Sequence, residues 1–349
     1  MRLLKLPWVV FHDLAKQIDP ISLVFLSFCS KNTKKKVKLV KYSIKVKGFV
    51  HCCSKGHYLG LDFHHSSLLL YFKAREGNTN LEVKSFHQTI NKIKFHFKLA
   101  SDGMYIEEAK DVDMMFTVIN YILDLFRTDL DIVSVFANEL SSVQALASQP
   151  TIRTAREVGL LGCHGGSNSV ADLFTLYNNL RGPLEYADVL ATIDGEVDLL
   201  PKLFGAENLF AAKSAWIREE HLLSSSSRFM LLKKSKLNED AIISFLKQWL
   251  DGGFTRLEMM MIWFETEHWI NSEQVLNSFE WTQWNPEKRS QKFEFKPLWA
   301  SVMVRGQTSL NTDCEKGYDI EQSDGLLATV LLPPEGNAIF FHVWHKRFH

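Results

Sequence analysis

The chain has 349 residues, enough for two or more packed units, a formal net charge of zero and a hydrophobic share of 46%. That balance excludes a global electrostatic pull toward nucleic acid or an anionic membrane, and 25 Phe with 9 Trp exclude a disordered chain. The longest apolar stretches, such as Met114 to Phe126, are interrupted by Thr117, Asn120 and Asp124 and fall short of the ~20 residues of a membrane span. Near the N-terminus Pro7, His12, Asp13 and Lys16 break any signal-like apolar run. Five cysteines, an odd number, read as small buried hydrophobes in a reducing compartment rather than as a disulfide framework. The expected location is cytoplasmic and/or nuclear.

In chain order, residues 6–40 read as helices. From Leu6 to Ile18, Val10, Leu14 and Ile18 recur on one face. Asp19-Pro20 is a helix start, with Asp as N-cap and Pro at the first position. The helix from Pro20 to about Ser30 carries Ile21, Leu23, Val24, Phe25, Leu26, Phe28 and Cys29, which cover nearly its whole circumference. A helix apolar all round must be buried all round, and a unit of ~40 residues does not bury one by itself. Either the rest of the chain covers it or a partner does. A third, lysine-rich helix follows from Lys31.

Residues 43–106 read as a small sheet. Strands are expected at Ser43 to Val50, Tyr58 to Phe63, Leu68 to Phe72 and, by strict alternation, Lys92 to Leu99. From about residue 112 helices and strands alternate. Val112, Phe116, Ile119, Leu123 and Phe126 form a helical stripe, and strands are expected at Asp131 to Ala137, Glu157 to Gly162, Ala187 to Ile193 and Asn208 to Lys213. The clearest unit is a strand at Phe229 to Leu232, a helix capped by Asn238 and ended by Gly252-Gly253, and a continuously apolar strand at Leu257 to Phe264. Its repeat of about 28 residues lies within the range of leucine-rich repeats, though irregular; an ordinary α/β domain is the other reading. Strands return at Lys292 to Lys296, Tyr318 to Gln322, Leu326 to Leu332 and Ile339 to Trp344, with Asp324-Gly325 as a hairpin turn.

The order Leu6-Pro7, Val10, Leu14, Ile18, Asp19-Pro20, Ile21, Leu23, Leu26, Phe28-Cys29 and Lys31 resembles an F-box. The later residues Trp216-Ile217, Leu222-Leu223, Leu231 to Leu237, Phe245 to Trp249, Arg256-Leu257-Glu258, Tyr318-Asp319-Ile320, Asp324-Gly325-Leu326, Ala328-Thr329 and Val343-Trp344 are similar to the nematode group that joins an F-box to a type 2 F-box-associated domain. The resemblance implies an α+β or α/β chain: a three-helix F-box at 4–42, a β-rich region at 43–110, an irregular leucine-rich-repeat-like strand–helix region at 111–290 with the associated domain at about 205–270, and C-terminal strands at 291–349. It also implies a non-catalytic substrate receptor of an SCF-type ubiquitin ligase. Leu6, Pro7, Leu14, Ile18, Pro20, Ile21, Leu23, Leu26 and Phe28 would face a Skp-type adaptor of a cullin complex or form the F-box core, and an undefined target protein would bind the C-terminal region. Lys31-Asn32-Thr33-Lys34 stands where many F-boxes carry a Trp-containing signature, which implies a weaker adaptor contact. The alternative is an interaction scaffold with no ubiquitin role.

No constellation points to catalysis, and no cofactor is implied. His51-Cys52-Cys53 with His57 lacks the paired spacing of a zinc site, and adjacent cysteines on a strand face opposite ways. Cys163-His164-Gly165-Gly166 reads as a loop, because a nucleophile and its base meet through space, and His64-His65 is unspecific. The lysines at 31, 34, 35, 36, 38 and 41 read as the solvated end of a helix in preference to a nucleic-acid patch, as no aromatics interleave them.

Overall fold

The structure, a computed structural model, describes residues 5–40, 47–52, 57–63, 66–72, 84–100, 103–107, 111–136, 143–161, 167–296, 310–334 and 336–345. Two compact units result: Met1–Ala155 with Asn179–Gly182, and Arg156–Asn178 with Pro183–His349. The boundaries expected near residues 42 and 110 fall inside the first unit and that near 290 inside the second.

The first unit opens with α1 (Trp8–Gln17), α2 (Pro20–Cys29) and α3 (Lys31–Lys38). Asp19 Oδ1 accepts from the Ser22 amide at 3.0 Å with Pro20 at the first helical position, and Ser30 Oγ accepts from the Thr33 amide at 3.1 Å. Strands β1 (Lys47–Cys52), β2 (His57–Phe63), β3 (Ser66–Phe72), β4 (Lys84–Ile90), β5 (Ile93–Ala100) and β6 (Gly103–Ile106) follow, then α4 (Val112–Phe126), β7 (Leu130–Phe136) and α5 (Val143–Ser148). The strand order is β7-β1-β2-β3-β6-β5-β4, with the β7–β1 and β3–β6 pairs parallel and the others antiparallel. Lys92, expected at the start of a strand, lies instead in the two-residue turn between β4 and β5, where Asn91 and Lys92 have φ of 49° and 70°. A pair of left-handed residues matches the twist of the flanking strands. Sequence alternation set the strand but not its first residue. In β2, Gly60 lies opposite Phe49, whose ring occupies the space a Cβ would fill.

The second unit contains β8 (Glu157–Leu161), β9 (Ser167–Ser169), α6 (Val170–Asn178), β10 (Tyr186–Val189), β11 (Thr192–Asp194), α7 (Pro201–Phe204), β12 (Asn208–Ala211), α8 (Glu219–Leu223), β13 (Phe229–Ser235), α9 (Glu239–Leu250), β14 (Met259–Phe264), α10 (Ser272–Leu276), β15 (Thr282–Gln283), β16 (Lys292–Phe295), β17 (Leu310–Asp313), β18 (Tyr318–Glu321), β19 (Leu327–Leu331) and β20 (Ala338–Val343). Its main sheet runs β8-β10-β12-β13-β14 in parallel, then β20-β19-β18-β15 antiparallel. The strand expected over Ala187 to Ile193 divides into β10 and β11, because β11 pairs with β9 in a separate two-stranded sheet.

The parallel strands stack in simple register: Glu157, Tyr186, Asn208, Phe229 and Met259 are lateral neighbours. A helix lies between each of β8, β10, β12 and β13 and the next strand of this sheet. The turns that enter three of these strands repeat one device. The carbonyl before the strand accepts two amides from the next turn, as Arg156 does from Glu185 and Tyr186, Glu207 from Arg228 and Phe229, and Arg228 from Glu258 and Met259. Charged side chains at the same turns form ion pairs. Arg156 pairs with Glu185, and Arg228 lies between Glu207 (3.0 Å) and Glu258 (2.7 Å). One face of the sheet packs on the helices through Ala187, Leu209, Met230, Met260 and Phe341, all buried. Trp249 of α9 is fully buried there, with its ring edge-on to Phe341 at 5.3 Å.

Candidate functional site

Two surfaces carry the residues that sequence reasoning singles out. The first is the N-terminal helical group. Pro7 is exposed and caps α1; Leu6, Leu14, Ile18, Ile21, Leu26 and Phe28 are half-buried; Pro20 and Leu23 are buried. The all-round apolar α2 finds part of its cover within the same unit. Phe25 packs on Phe86 with centroids 4.8 Å apart, and Phe28 meets Phe97 and Tyr121, each at 5.4 Å. Ser27 Oγ lies 2.8 Å from the Tyr121 hydroxyl. The chain thus supplies cover on the Phe25 and Phe28 side.

The apolar residues left open lie on α1 and at the end of α3. Trp8, Val9 and Val10 are 42%, 68% and 44% exposed, and Leu39 is 48% exposed. Trp8 and Val9 were missed because the face was drawn through Val10, Leu14 and Ile18. The run Trp8-Val9-Val10-Phe11 puts apolar side chains on both sides of α1, while Phe11 and Ala15 alone are its buried residues. The basic run of α3 is partly neutralised within its unit. Lys34 and Lys38 pair with Asp124, and Lys34 Nζ lies 4.0 Å from the Tyr121 ring centroid.

The second surface is the sheet face of the second unit that points away from the helices. Its middle row runs Asp188, Phe210, Leu231, Met261, Phe340 and Leu331, and a second row runs Tyr186, Asn208, Phe229, Met259, His342 and Thr329. The β16–β17 hairpin covers one end. Phe293 stacks on His342 at 4.7 Å and meets Trp344 edge-on at 4.9 Å. A buried polar network braces this end. Arg289, with no exposure, donates to both oxygens of Asp319 (3.0 and 2.9 Å from Nε, 2.8 Å from Nη2) and to the Cys314 carbonyl (2.9 Å). Thr329 Oγ1 donates to Asp319 at 2.6 Å, and Trp344 Nε1 donates to Thr329 Oγ1 at 2.8 Å.

Burial sets the charge states on this face. It pushes the Cys314 thiol up to about 12, which keeps it protonated at neutral pH. Burial, with the charge of Arg289, drops His342 to about 3, and neither ring nitrogen has a hydrogen-bond partner. Burial raises the Asp188 carboxyl to about 7, and partial burial lowers the Lys233 ammonium. Among the described residues no group of three or more His, Cys, Asp or Glu could hold a metal ion, and no helix is long and apolar enough to cross a membrane. Cys53, Cys163 to Gly166, His64-His65 and Lys41 lie outside the described residues.

The fold is mixed α/β, with an N-terminal helical group and a sheet-and-helix unit. Comparison with known proteins makes this more specific. Residues 203–262, which span β12, α8, β13, α9 and most of β14, match the family described as F-box associated; a segment of this family was expected at about 205–270. The chain is 27% identical to the uncharacterized Caenorhabditis elegans protein F59B2.8 over 161 residues, 44% of this chain and 34% of that protein. It is 21% identical to the uncharacterized F59B2.9 of the same organism over 368 aligned positions, 99% of this chain and 79% of that protein. It is 22% identical to the C. elegans E3 ubiquitin-protein ligase hecw-1 over 298 residues, 79% of this chain and 23% of that protein. The chain therefore spans about a third of the first of these relatives and less than a quarter of the ligase. No solved structure matches. The likeness is to nematode proteins, and the match to the F-box-associated family is confined to 203–262.

Proposed function

We propose that this chain is a substrate-recognition subunit of an SCF-type ubiquitin ligase. Its N-terminal helices act as an F-box on a Skp-type adaptor of the cullin complex, and the second unit, an irregular leucine-rich-repeat-like run of strands and helices, holds the target protein. The observation that carries this reading is the F-box-associated segment at 203–262, downstream of three helices capped by Asp19-Pro20 and Ser30. The open Trp8, Val9 and Val10 supply an apolar face for a partner, and chemistry belongs to other subunits, so the contribution of this chain is proximity and orientation. The adaptor-facing set is Leu6, Pro7, Leu14, Ile18, Ile21 and Leu26, joined by Trp8 and Val9, with Pro20, Leu23 and Phe28 as the core beneath them.

A second reading, an interaction scaffold without a ubiquitin role, is favoured by the cover that Phe86, Phe97 and Tyr121 give to α2, since a helix sheltered within its own chain has less need of an adaptor. Co-purification with a Skp-type adaptor separates the two. Wild type is expected to recover the adaptor, and Leu6→Ala/Pro7→Ala and Trp8→Ala/Val9→Ser to recover at least tenfold less while keeping the wild-type melting temperature within a few degrees. If wild type recovers none, the ligase reading fails.

A further inference from the structure

The strand order of the first unit ends at β4, and among the described residues no strand pairs with its outer edge. The two-residue turn at Asn91 and Lys92 makes Ile90 and Ile93 a hydrogen-bonded pair, so the bonded pairs of the β4–β5 ladder recur at Gln88, Phe86 and Lys84. The amides and carbonyls of Ser85, His87 and Thr89 therefore point outward. Two contacts agree with that parity. The carbonyl of His96, which lies opposite His87, accepts the Glu107 amide at 3.2 Å on the far side of β5. The Thr89 carbonyl accepts Gln88 Nε2 of its own strand at 3.2 Å rather than a group of β5. Ser85, His87 and Thr89 are all exposed.

We propose that β4 is a self-association edge, pairing antiparallel with β4 of a second copy of this chain about a twofold axis through His87.

The sequence of the edge favours a second copy as the occupant. Antiparallel pairing centred on His87 sets Ser85 of one copy opposite Thr89 of the other, and His87 opposite itself. Each is a two-bond pair, and any other antiparallel register of β4 on itself leaves an outward residue of the strand unpaired. Opposed hydroxyl residues are a favourable cross-strand pair. Lys84, the one charged residue of the strand, falls opposite Ile90, so no like charges meet. The groups that pair are backbone amides and carbonyls. The His87 ring keeps its stack on His96, 4.6 Å between centroids, and the Thr89 carbonyl has a second lone pair beside the one Gln88 uses. On the other face, Phe86 and the Phe25 ring packed on it are half-buried, and the join lengthens the apolar layer beneath α2. The edge also lacks the usual guards against pairing. It has no Pro, its register with β5 runs without a bulge, and its single charge stands at its first residue.

The inference does not depend on the ligase reading. Its test is sedimentation equilibrium of the full chain, because one strand pair makes a small interface and a dissociation constant on the order of 10–100 μM is expected. His87→Lys and His87→Glu each place like charges opposite one another across the axis and should dimerise at least tenfold more weakly than wild type. An equimolar mixture of the two should form a heterodimer at least as tight as the wild-type dimer. His87→Pro removes only an outward amide, which an edge strand tolerates, and should be monomeric with its melting temperature kept. If that variant unfolds, the Lys and Glu variants at this exposed position decide alone. A wild type that stays monomeric to about 500 μM, well above the expected dissociation constant, overturns the inference. So does a dimer that the single charges leave intact, or a mixture that associates no better than either variant alone.

Discussion

At the scale of single residues, the second unit carries two unlike buried polar groups. Arg289 and Asp319 form a bidentate ion pair in which the guanidinium also reaches the Ser290 and Cys314 carbonyls. A buried pair is weak evidence of net stability, but loss of one partner strands the other charge at a cost of about 3–5 kcal/mol. Arg289→Met should therefore lower the denaturant midpoint sharply, and Arg289→Met/Asp319→Leu should recover most of the loss. Thr329 Oγ1, which donates to Asp319, would lose its acceptor in that double variant, so recovery short of wild type is expected.

His342 has the opposite character, with two unpartnered ring nitrogens in a closed setting of Phe293 and Phe295. It stays neutral in the folded chain down to about pH 3, whereas the unfolded chain protonates it near 6.5. Between those values the unfolded chain holds the extra proton, so this group destabilises the fold progressively as pH falls from 6.5 toward 3. His342→Phe keeps the stack and removes that contribution. It should raise stability by roughly 1–2 kcal/mol at pH 7 and by more at pH 5, measured by chemical denaturation at both values. Asp188 contributes with the other sign: its carboxyl, raised to about 7, makes the fold less stable as pH rises from about 4 to 7, so the His342→Phe comparison is made against wild type at each pH.

At the scale of elements, α2 shows how burial overrides amphipathic reasoning. Apolar on nearly every side, it must be covered, and the cover on one side is the aromatic group Phe86, Phe97 and Tyr121. Phe28→Ala should cost roughly 2 kcal/mol, less than a fully buried Phe, seen as a lower melting temperature of the full chain. If α2 were covered mainly by a partner, the isolated chain would show no such loss and adaptor recovery would fall instead. The α9 helix illustrates the reverse case, an element whose ends are set locally. Asn238 Oδ1 accepts from the Ala241 amide at 3.1 Å, and Gly252, at φ 88°, takes the left-handed turn after it. Both signals were legible in the sequence, and the helix begins one residue after Asn238 and ends two residues before Gly252.

At the scale of the whole molecule, the chain order of elements was largely readable because hydrophobic period and capping residues are local properties. Alternation in Ile93 to Leu99 marks a strand with one wet face, and the apolar run Met259–Phe264 marks one buried on both faces. The family segment, expected at about 205–270 from the resemblance, matches over 203–262. The strand Lys84–Ile90 was not legible, since Lys84, Ser85, His87 and Thr89 leave it mostly exposed, and its place comes from pairing with β5. The division of 187–193 into two strands of different sheets is likewise a property of their partners.

The sequence by itself determined the helical N-terminus, its caps, the alternating strand–helix region and the need of α2 for cover, all consequences of side-chain period and backbone preference. Only the tertiary structure decided what covers α2, which residues of α1 remain open, and which rows of the second unit's sheet the chain itself covers. Those depend on non-local pairing: Phe28 meets Phe97 and Tyr121 across some seventy and ninety residues, and Phe293 reaches His342 across about fifty. No local pattern encodes contacts at such separations, because they form only when the elements pack.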